Sequence, residues 1–429
     1  MIKLLVDMFK NKDIRGRIFF TLAIFFVYRL GANITAPMVD STRLIGQFAD
    51  DSILGMINLL GGGALQEFSI FSMGIGPYIT ASIIVQLLAM DVVPALTEMT
   101  KSGAQGKMKL DRITRYFALV LALLQGYTLT YAFHINYGIL SNPGIATYIY
   151  VTVVITAGTM FLLWLADRIS AFGIGNGISM IIFAGIVSDI PFRFSQAFQT
   201  LVDTSSNAAI FGGVLNFSLF VLMYIAIIIL VIFMSTAVRK IPIQYTSSSV
   251  RKSNQEITFL PLKINSASVI PVIFASAIMT APVTVLSFFN QGEFFQTLST
   301  ILNVSQPIGL SIYIVLIVFF TFFYTNLQVD PEKISDNLSK SGTYIPGIRP
   351  GNETKEYVGK VLNRITVLGA LFLSFIAALP YVIPMITNLP NSISVGGTGI
   401  IIVVGVAMET VKDLQGRLTQ KQYRGFVSR

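Results

Sequence analysis

Ile53-Leu54-Gly55-Met56-Ile57-Asn58-Leu59-Leu60-Gly61-Gly62-Gly63 opens a stretch, running on to Met90, whose reading decides the fold. The apolar segment is too short to cross a bilayer and stops at three glycines. After Gln66-Glu67 a full-length apolar run begins, and it carries Gly74, Gly76 and Pro77 inside it. A lipid-exposed segment must satisfy every backbone N–H and C=O internally, so a segment this short and broken needs a protein cavity around it. It is expected to be a half-helix folded back beside a pathway.

The rest of the chain supplies the membrane that this argument needs. Of 429 residues, 53% are hydrophobic and only 12% charged, with a mean hydropathy of +0.71. That is the composition of an integral membrane protein. There is no cysteine, which excludes disulfides, thiol chemistry and thiolate metal sites. The single histidine, His134, offers too little for a metal centre or a proton relay and is read as an interfacial residue at a helix end. Neither a metal nor a cofactor is expected. The first apolar run, Ile18 to Ala36, follows Lys10, Lys12, Arg15 and Arg17 and lacks a small-residue cleavage site, so it is expected to be a retained span.

Ten spans of roughly 20 residues follow one another, near 17–36, 68–90, 115–134, 147–166, 174–190, 211–238, 266–289, 307–328, 364–384 and 393–411. With the N-terminus inside, only Arg43 and Arg193 of the 30 Lys and Arg fall in outer loops, and Arg29 lies inside the first span. The others lie on inner segments, so the positive-inside rule puts both termini in the cytoplasm. Arg29 stands roughly 18 Å along the helix from Arg17 and is expected to reach the outer interface or a helix-end carbonyl.

The expected fold is therefore an all-α integral membrane protein of ten transmembrane helices. They divide into an N-terminal half, 1–190, and a C-terminal half, 191–429. Five spans per half force the halves to insert in opposite orientation. Weak symmetry supports the division: Ile75-Gly76-Pro77-Tyr78-Ile79 matches Val269-Ile270-Pro271-Val272-Ile273 in the second span of each half. Glycines lead the fifth span of each, in Gly173-Ile174-Gly175-Asn176-Gly177-Ile178 and Gly396-Gly397-Thr398-Gly399-Ile400. Special backbone at corresponding places in inverted halves points to a midplane pathway.

No phosphate loop or dinucleotide fingerprint is present, and the span interiors hold essentially Arg29 alone, where ion-coupled transporters need charge. An apolar pathway remains. Ile75 and Ile79 share a helix face, as do Ile178 and Ile182, and Ile273 and Ile402 hold related places in the second half. A ring of such side chains closes a pore by dewetting. Farther along, Ser82 and Gln86 follow Ile79 at the offsets at which Ser276 and Thr280 follow Ile273. These polar stripes suit a weak, openable seam between two spans. Two inner loops, about 239–265 and 329–363, exceed what topology requires. The first carries Arg239, Lys240, Arg251 and Lys252, and the second the turns Ile345-Pro346-Gly347 and Arg349-Pro350-Gly351 of a shaped finger. Apposition to anionic lipid headgroups is the plainer account of both.

The runs Ser69-Ile70-Phe71-Ser72-Met73-Gly74-Ile75-Gly76-Pro77-Tyr78-Ile79, Gly173-Ile174-Gly175-Asn176-Gly177-Ile178-Ser179, Leu260-Pro261-Leu262-Lys263-Ile264-Asn265, Asp336-Asn337-Leu338-Ser339-Lys340-Ser341-Gly342 and Pro346-Gly347-Ile348-Arg349-Pro350-Gly351 resemble the bacterial SecY family of protein translocase channels. The resemblance covers essentially the whole chain. It implies a clamshell of two inverted halves around a central hourglass pore. Residues 53–67 would form the plug, with Asn58, Leu59, Leu60, Gly61, Gly62 and Gly63 as plug and hinge. Ile75, Ile79, Ile178, Ile182, Ile273 and Ile402 match the pore ring. Spans two and three against seven and eight match a lateral gate, carrying Ser82, Gln86, Ser276 and Thr280. The long loops, with Arg239, Lys240, Arg251, Lys252 and Arg349, match the docking site for the SecA motor ATPase and the ribosome.

The activity so implied is passage of unfolded, signal-sequence-bearing preproteins across the bacterial plasma membrane, with sideways release of membrane segments into membrane lipid. The channel would be passive, driven by a partner, and accompanied by SecE-like and SecG-like small subunits. Gly76, the serine-rich Tyr245–Glu256 segment and Thr258-Phe259 depart from the family pattern. They leave an accessory-pathway paralogue with restricted cargo as the alternative, beside a small-solute secondary transporter and a membrane scaffold that only tethers a ribosome.

Overall fold

The computed structural model describes residues 9–44, 63–90, 92–202, 207–245, 258–286, 293–304, 306–387 and 397–427. Thirteen helices are formed in this part: α1 Lys12–Ala32, α2 Gly76–Leu88, α3 Pro94–Lys101, α4 Gly103–Tyr137, α5 Ile145–Phe172, α6 Gly177–Leu201, α7 Asn207–Thr236, α8 Ile270–Leu286, α9 Glu293–Leu302, α10 Pro307–Gln328, α11 Pro331–Lys340, α12 Asn352–Thr387 and α13 Gly397–Val427. Every predicted span overlaps one of them, as α1, α2, α4, α5, α6, α7, α8, α10, α12 and α13. Six helices among the described residues are long and apolar enough to cross a membrane. The protein is a multi-span α-helical membrane protein.

The second span differs from expectation. Residues 68–75 are not helical. Their backbone pairs with the chain leaving α1 instead: Ile70 N–H donates to Ile34 O (3.0 Å) and Ala36 N–H to Phe68 O (2.9 Å). This segment presses so closely on α5 that a Cβ at Gly158 would stand 1.9 Å from the Ile70 carbonyl oxygen. The helix starts only at Gly76, with Pro77 in its first turn, where proline's missing N–H costs nothing. Its 13 residues cover about 20 Å, too little for a hydrocarbon core of about 30 Å. Residues 53–62 of the opening stretch, with Asn58, Leu59, Leu60, Gly61 and Gly62, lie outside the described residues.

A small sheet is formed outside the spans. Strand β1, Val238–Tyr245, pairs antiparallel with β2, Thr258–Lys263, from Val238↔Lys263 to Ile243↔Thr258. On its other edge it pairs with β3, Thr343–Tyr344, through Gln244↔Tyr344. The two long loops are thus joined by one three-stranded sheet, ordered β2-β1-β3. Ile241, Leu262 and Ile345 pack under it against Val358, Leu362 and Ile365 at the start of α12. In Val238–Tyr245 only Ile241 and Ile243 turn inward, and Pro242 with Arg239 and Lys240 hid the strand in the sequence.

Within the first set of helices α2 packs on α4, α4 on α5, α5 on α6, and α1 on both α5 and α6. In the second, α8 packs on α10, α10 on α12, α12 on α13 and α13 on α7. The sets touch on two sides: α6 against α7 and α13 on one, and α2 with α4 against α8 on the other.

Candidate functional site

Where the two sets meet, a single continuous apolar cluster joins them. Ile75 and Ile79 enter it from the start of α2, Ile182 from α6, Ile273 from α8 and Ile402 from α13, all buried; Ile178, half-buried, packs against it. The six isoleucines singled out from the sequence therefore belong to one cluster drawn from four helices. Val272, Phe274, Met180, Ile400 and Val404 belong to the same cluster. Membership of these last residues was not legible, because nothing in a uniformly apolar helix marks which face turns inward.

Each contributing helix is aimed by a local device. The Ile75 carbonyl accepts the Ile79 N–H at 3.1 Å, so the pair is fixed as one turn at the head of α2. On α6 the device is more elaborate. Asn176 caps the helix, its Oδ1 accepting from Ile178 N–H (3.0 Å) and Ser179 N–H (3.4 Å). Ser170 Oγ accepts from Gly177 N–H at 2.9 Å, and Thr21 Oγ1 on α1 accepts from Ile174 N–H at 3.2 Å. Arg17 Nη1 donates to the carbonyls of Ala171 (3.4 Å) and Gly173 (3.3 Å), a cation on the negative end of α5. A Cβ at Gly177 would lie 1.7 Å from the Ala166 oxygen, which is why the turn into α6 takes glycine. The sequence marked this turn by its glycines but did not show that α1 supports it.

Ser82, Gln86 and Ser276 are bonded within their own helix sets. Gln86 Nε2 donates to Ser82 Oγ at 2.8 Å, one turn apart on α2. Ser276 Oγ donates to the Val272 carbonyl at 2.8 Å and lies 3.3 Å from Tyr313 OH on α10. The side chain of Thr280 lies outside the described residues. On the other wall, Tyr78 OH donates to Asp111 Oδ1 (3.3 Å), and Arg115 Nη2 bridges Asp111 Oδ2 (2.8 Å) to Asp167 Oδ1 (3.0 Å). This chain ties α2 to α4 and α5. Asp111 and Arg115 form an i,i+4 pair readable from sequence; Tyr78 gave no such signal.

The basic loops hold their side chains outward. Arg239 and Lys240 are exposed on β1, and Lys240 lies over the Phe259 ring at 5.8 Å. Arg251 and Lys252 fall outside the described residues. The Arg349 backbone is held on both sides, its N–H donating to Glu353 Oε2 (3.3 Å) and its carbonyl accepting from Thr354 Oγ1 (2.8 Å). Its side chain is 87% exposed, with Glu353 at 4.0 Å. Nearby, Asp330 caps α11 by accepting from Glu332 N–H (3.0 Å) and Lys333 N–H (3.4 Å). Desolvation pushes its carboxyl up, but the hydrogen bonds from Lys333 and Glu332 outweigh this and hold it below the usual carboxylate range. Gly63, the one plug-and-hinge glycine described, takes φ +81°, a conformation that favours glycine.

A family model described as SecY matches residues 69–411. The protein translocase subunit SecY of Staphylococcus carnosus (strain TM300) is 45% identical over 433 residues, covering 100% of both chains. Among solved structures, one described as "The structure of a protein conducting channel" superposes with a TM-score of 0.70 at 19% identity, over 94% of this chain and 92% of that one. Another, "Sec61 in the Canine ribosome-channel complex from the endoplasmic reticulum", gives 0.66 at 18% identity over the same shares, 94% and 92%.

Proposed function

The chain belongs to the SecY family, and from that premise we propose that it is the channel subunit of a protein translocase. It conducts unfolded preproteins across the membrane and releases apolar segments sideways into lipid. The observation that carries this reading is the isoleucine cluster, contributed by α2, α6, α8 and α13. An apolar constriction at the junction of two helix sets can part around a polypeptide. At rest it excludes ions by dewetting, with no charged filter. Ile75, Ile79, Ile178, Ile182, Ile273 and Ile402 form the constriction in this proposal.

The two helix sets, α1–α6 and α7–α13, act as the halves of the clamshell; α6 runs to Leu201, past the expected boundary between 1–190 and 191–429. The contact of α6 with α7 and α13 is the hinge side, and that of α2 and α4 with α8 is the lateral gate. Residues 53–67 are the plug. The channel is passive, and its driving force comes from a SecA-type ATPase or the ribosome, docked on Arg239, Lys240, Arg251, Lys252 and Arg349. SecE-like and SecG-like subunits complete the complex in the plasma membrane, with both termini cytoplasmic.

Photo-crosslinking groups placed at Ile79 and Ile273, with a preprotein arrested in transit, test the reading. Capture at both positions, and loss of capture when the chain is released, is expected. Failure to capture at either position overturns it. The accessory-paralogue alternative is favoured by the departures at Gly76 and Thr258-Phe259; it predicts that depletion of this chain stops export of a restricted cargo only.

A further inference from the structure

The first turn of α2 brings Ile75 and Ile79 into the apolar cluster, yet its own residues fix it poorly. Ile75 is the N-cap and offers no side-chain acceptor to the first N–H groups of the helix, where Ser, Thr, Asp or Asn would supply one. Backbone bonds alone close the turn: Gly76 N–H to the Met73 carbonyl (3.2 Å) and Tyr78 N–H to the Ile75 carbonyl (3.0 Å). These set its shape but not its direction. Farther along, Thr80 donates to the Gly76 carbonyl and Gln86 to Ser82, both inside α2. Among the described residues, Tyr78 makes the side-chain hydrogen bond that leaves the helix, to Asp111 Oδ1 at 3.3 Å.

Arg115 decides where that bond lands. Its Nε (3.0 Å) and Nη2 (2.8 Å) both donate to Asp111 Oδ2, which leaves Oδ1 to Tyr78. The far edge of the same guanidinium takes Asp167 on α5 fork to fork, Nη1 to Oδ2 (2.5 Å) and Nη2 to Oδ1 (3.0 Å). Both edges of a planar group are thus engaged, and its plane is fixed between α4 and α5. The compact charge of a lysine could not hold two carboxylates in this way. Asp111, Arg115 and Asp167 together carry one net negative charge, and the Tyr78 hydroxyl is the further donor that meets it.

We propose that Arg115 is a positioning residue for the first turn of α2. Acting through Asp111 and Tyr78, it holds that turn, and with it Ile75 and Ile79, against the wall made by α4 and α5. Asp167 anchors the guanidinium, the guanidinium anchors Asp111, and Asp111 anchors Tyr78, the residue before Ile79. Arg115 therefore governs the constriction without contributing a side chain to it. Its consequence for the seal rests on the reading of Ile75 and Ile79 as ring members; its hold on α2 is measurable without that reading.

The test compares Arg115→Gln, Tyr78→Phe and the double variant in the full complex, by hydrogen exchange in nanodiscs and by conductance in planar bilayers. Each single change should speed exchange of the peptide bearing Tyr78 and Ile79 about fivefold, the size of one ordinary hydrogen bond. The double variant should exchange no faster than the faster single variant, because both changes cut one relay. Protection at Ala122 and Ile155, buried on α4 and α5, should hold, and resting conductance should rise in all three. Unchanged exchange in Arg115→Gln, additive effects in the double variant, or lost protection through α4 and α5 each overturns the proposal. Faster exchange with unchanged conductance supports Arg115 as the positioning residue of α2 and overturns the reading of Ile75 and Ile79 as the seal.

Discussion

Ser276 on α8 and Tyr313 on α10 hold their hydroxyl oxygens 3.3 Å apart in a fully buried setting. The pair links the two helices proposed as one wall of the lateral gate. Because Ser276 also donates to the Val272 carbonyl, Tyr313→Phe leaves no serine hydroxyl stranded. Interhelical bonds of this kind are worth about 0.6 kcal/mol in membranes. A double-mutant cycle of Tyr313→Phe with Ser276→Ala, read by unfolding in detergent, should give a coupling of about that size. A coupling indistinguishable from zero would show that the two hydroxyls merely sit close.

The turn from α5 into α6 is a second point where polar groups hold an apolar site in place. Thr21→Val keeps the shape of the side chain and strands the buried Ile174 N–H. That should cost about 1–3 kcal/mol and accelerate hydrogen exchange at Ile174, in the turn, ahead of α6. Arg17→Gln removes the cation from the end of α5 and should cost less, about 0.3–1 kcal/mol. The reverse order of the two effects would mean that Arg17, not Thr21, carries the turn.

How far the sequence reaches is visible in these same residues. Ile75, Ile79, Ile178, Ile182, Ile273 and Ile402 stand out because glycine and proline flank them, and those residues report backbone geometry directly. The ten spans are legible because the bilayer imposes a length. Thr21, Arg17, Tyr78 and Tyr313 bond to partners 33 to 156 residues distant, and no local pattern records such a contact. The sheet that joins the two long loops escaped for the same reason: β3 is two residues long and exists only because β1, about a hundred residues earlier, offers its free edge. The early break of α2 was legible as a fault at Gly74–Pro77 but not as strand-like pairing with the end of α1.

The proposed docking finger makes a pH prediction. Asp330 has its carboxyl held below the usual range in the folded state, so its cap is stabilising above the unfolded value and is lost only as pH falls through the folded one. Hydrogen exchange in α11 should therefore be insensitive to protonation of Asp330 between neutral pH and about pH 5, and protection should fall on stronger acidification. Asp330→Ala should reproduce the acid state at neutral pH, costing about 1 kcal/mol of local stability. Lys355, which donates to Glu332 at 2.6 Å, has its pKa raised by that hydrogen bond. Its contribution is present at neutral pH and is lost as pH rises through the lysine range. Loss of α11 protection between pH 7 and 5 would assign the cap to some other group.

The last prediction concerns the ring. Ile79 on α2 and Ile273 on α8 come from helices that touch across the proposed gate, and both are buried in the shared cluster. Replacing both with serine puts hydroxyls where water must be excluded, which lowers the cost of wetting the constriction. Planar-bilayer conductance of the resting complex should rise, and rise more for the pair than for either single change. Phe161→Ser on α5, at a 42% exposed position, should leave conductance unchanged. Because large-to-small changes in packed cores cost about 2–5 kcal/mol, a leak could instead report partial unfolding. Retained hydrogen-exchange protection at Tyr313 and Ile317, buried on the neighbouring α10, separates the two causes: a leak with protection intact belongs to the gate. Unchanged conductance with both isoleucines replaced removes Ile79 and Ile273 from the seal.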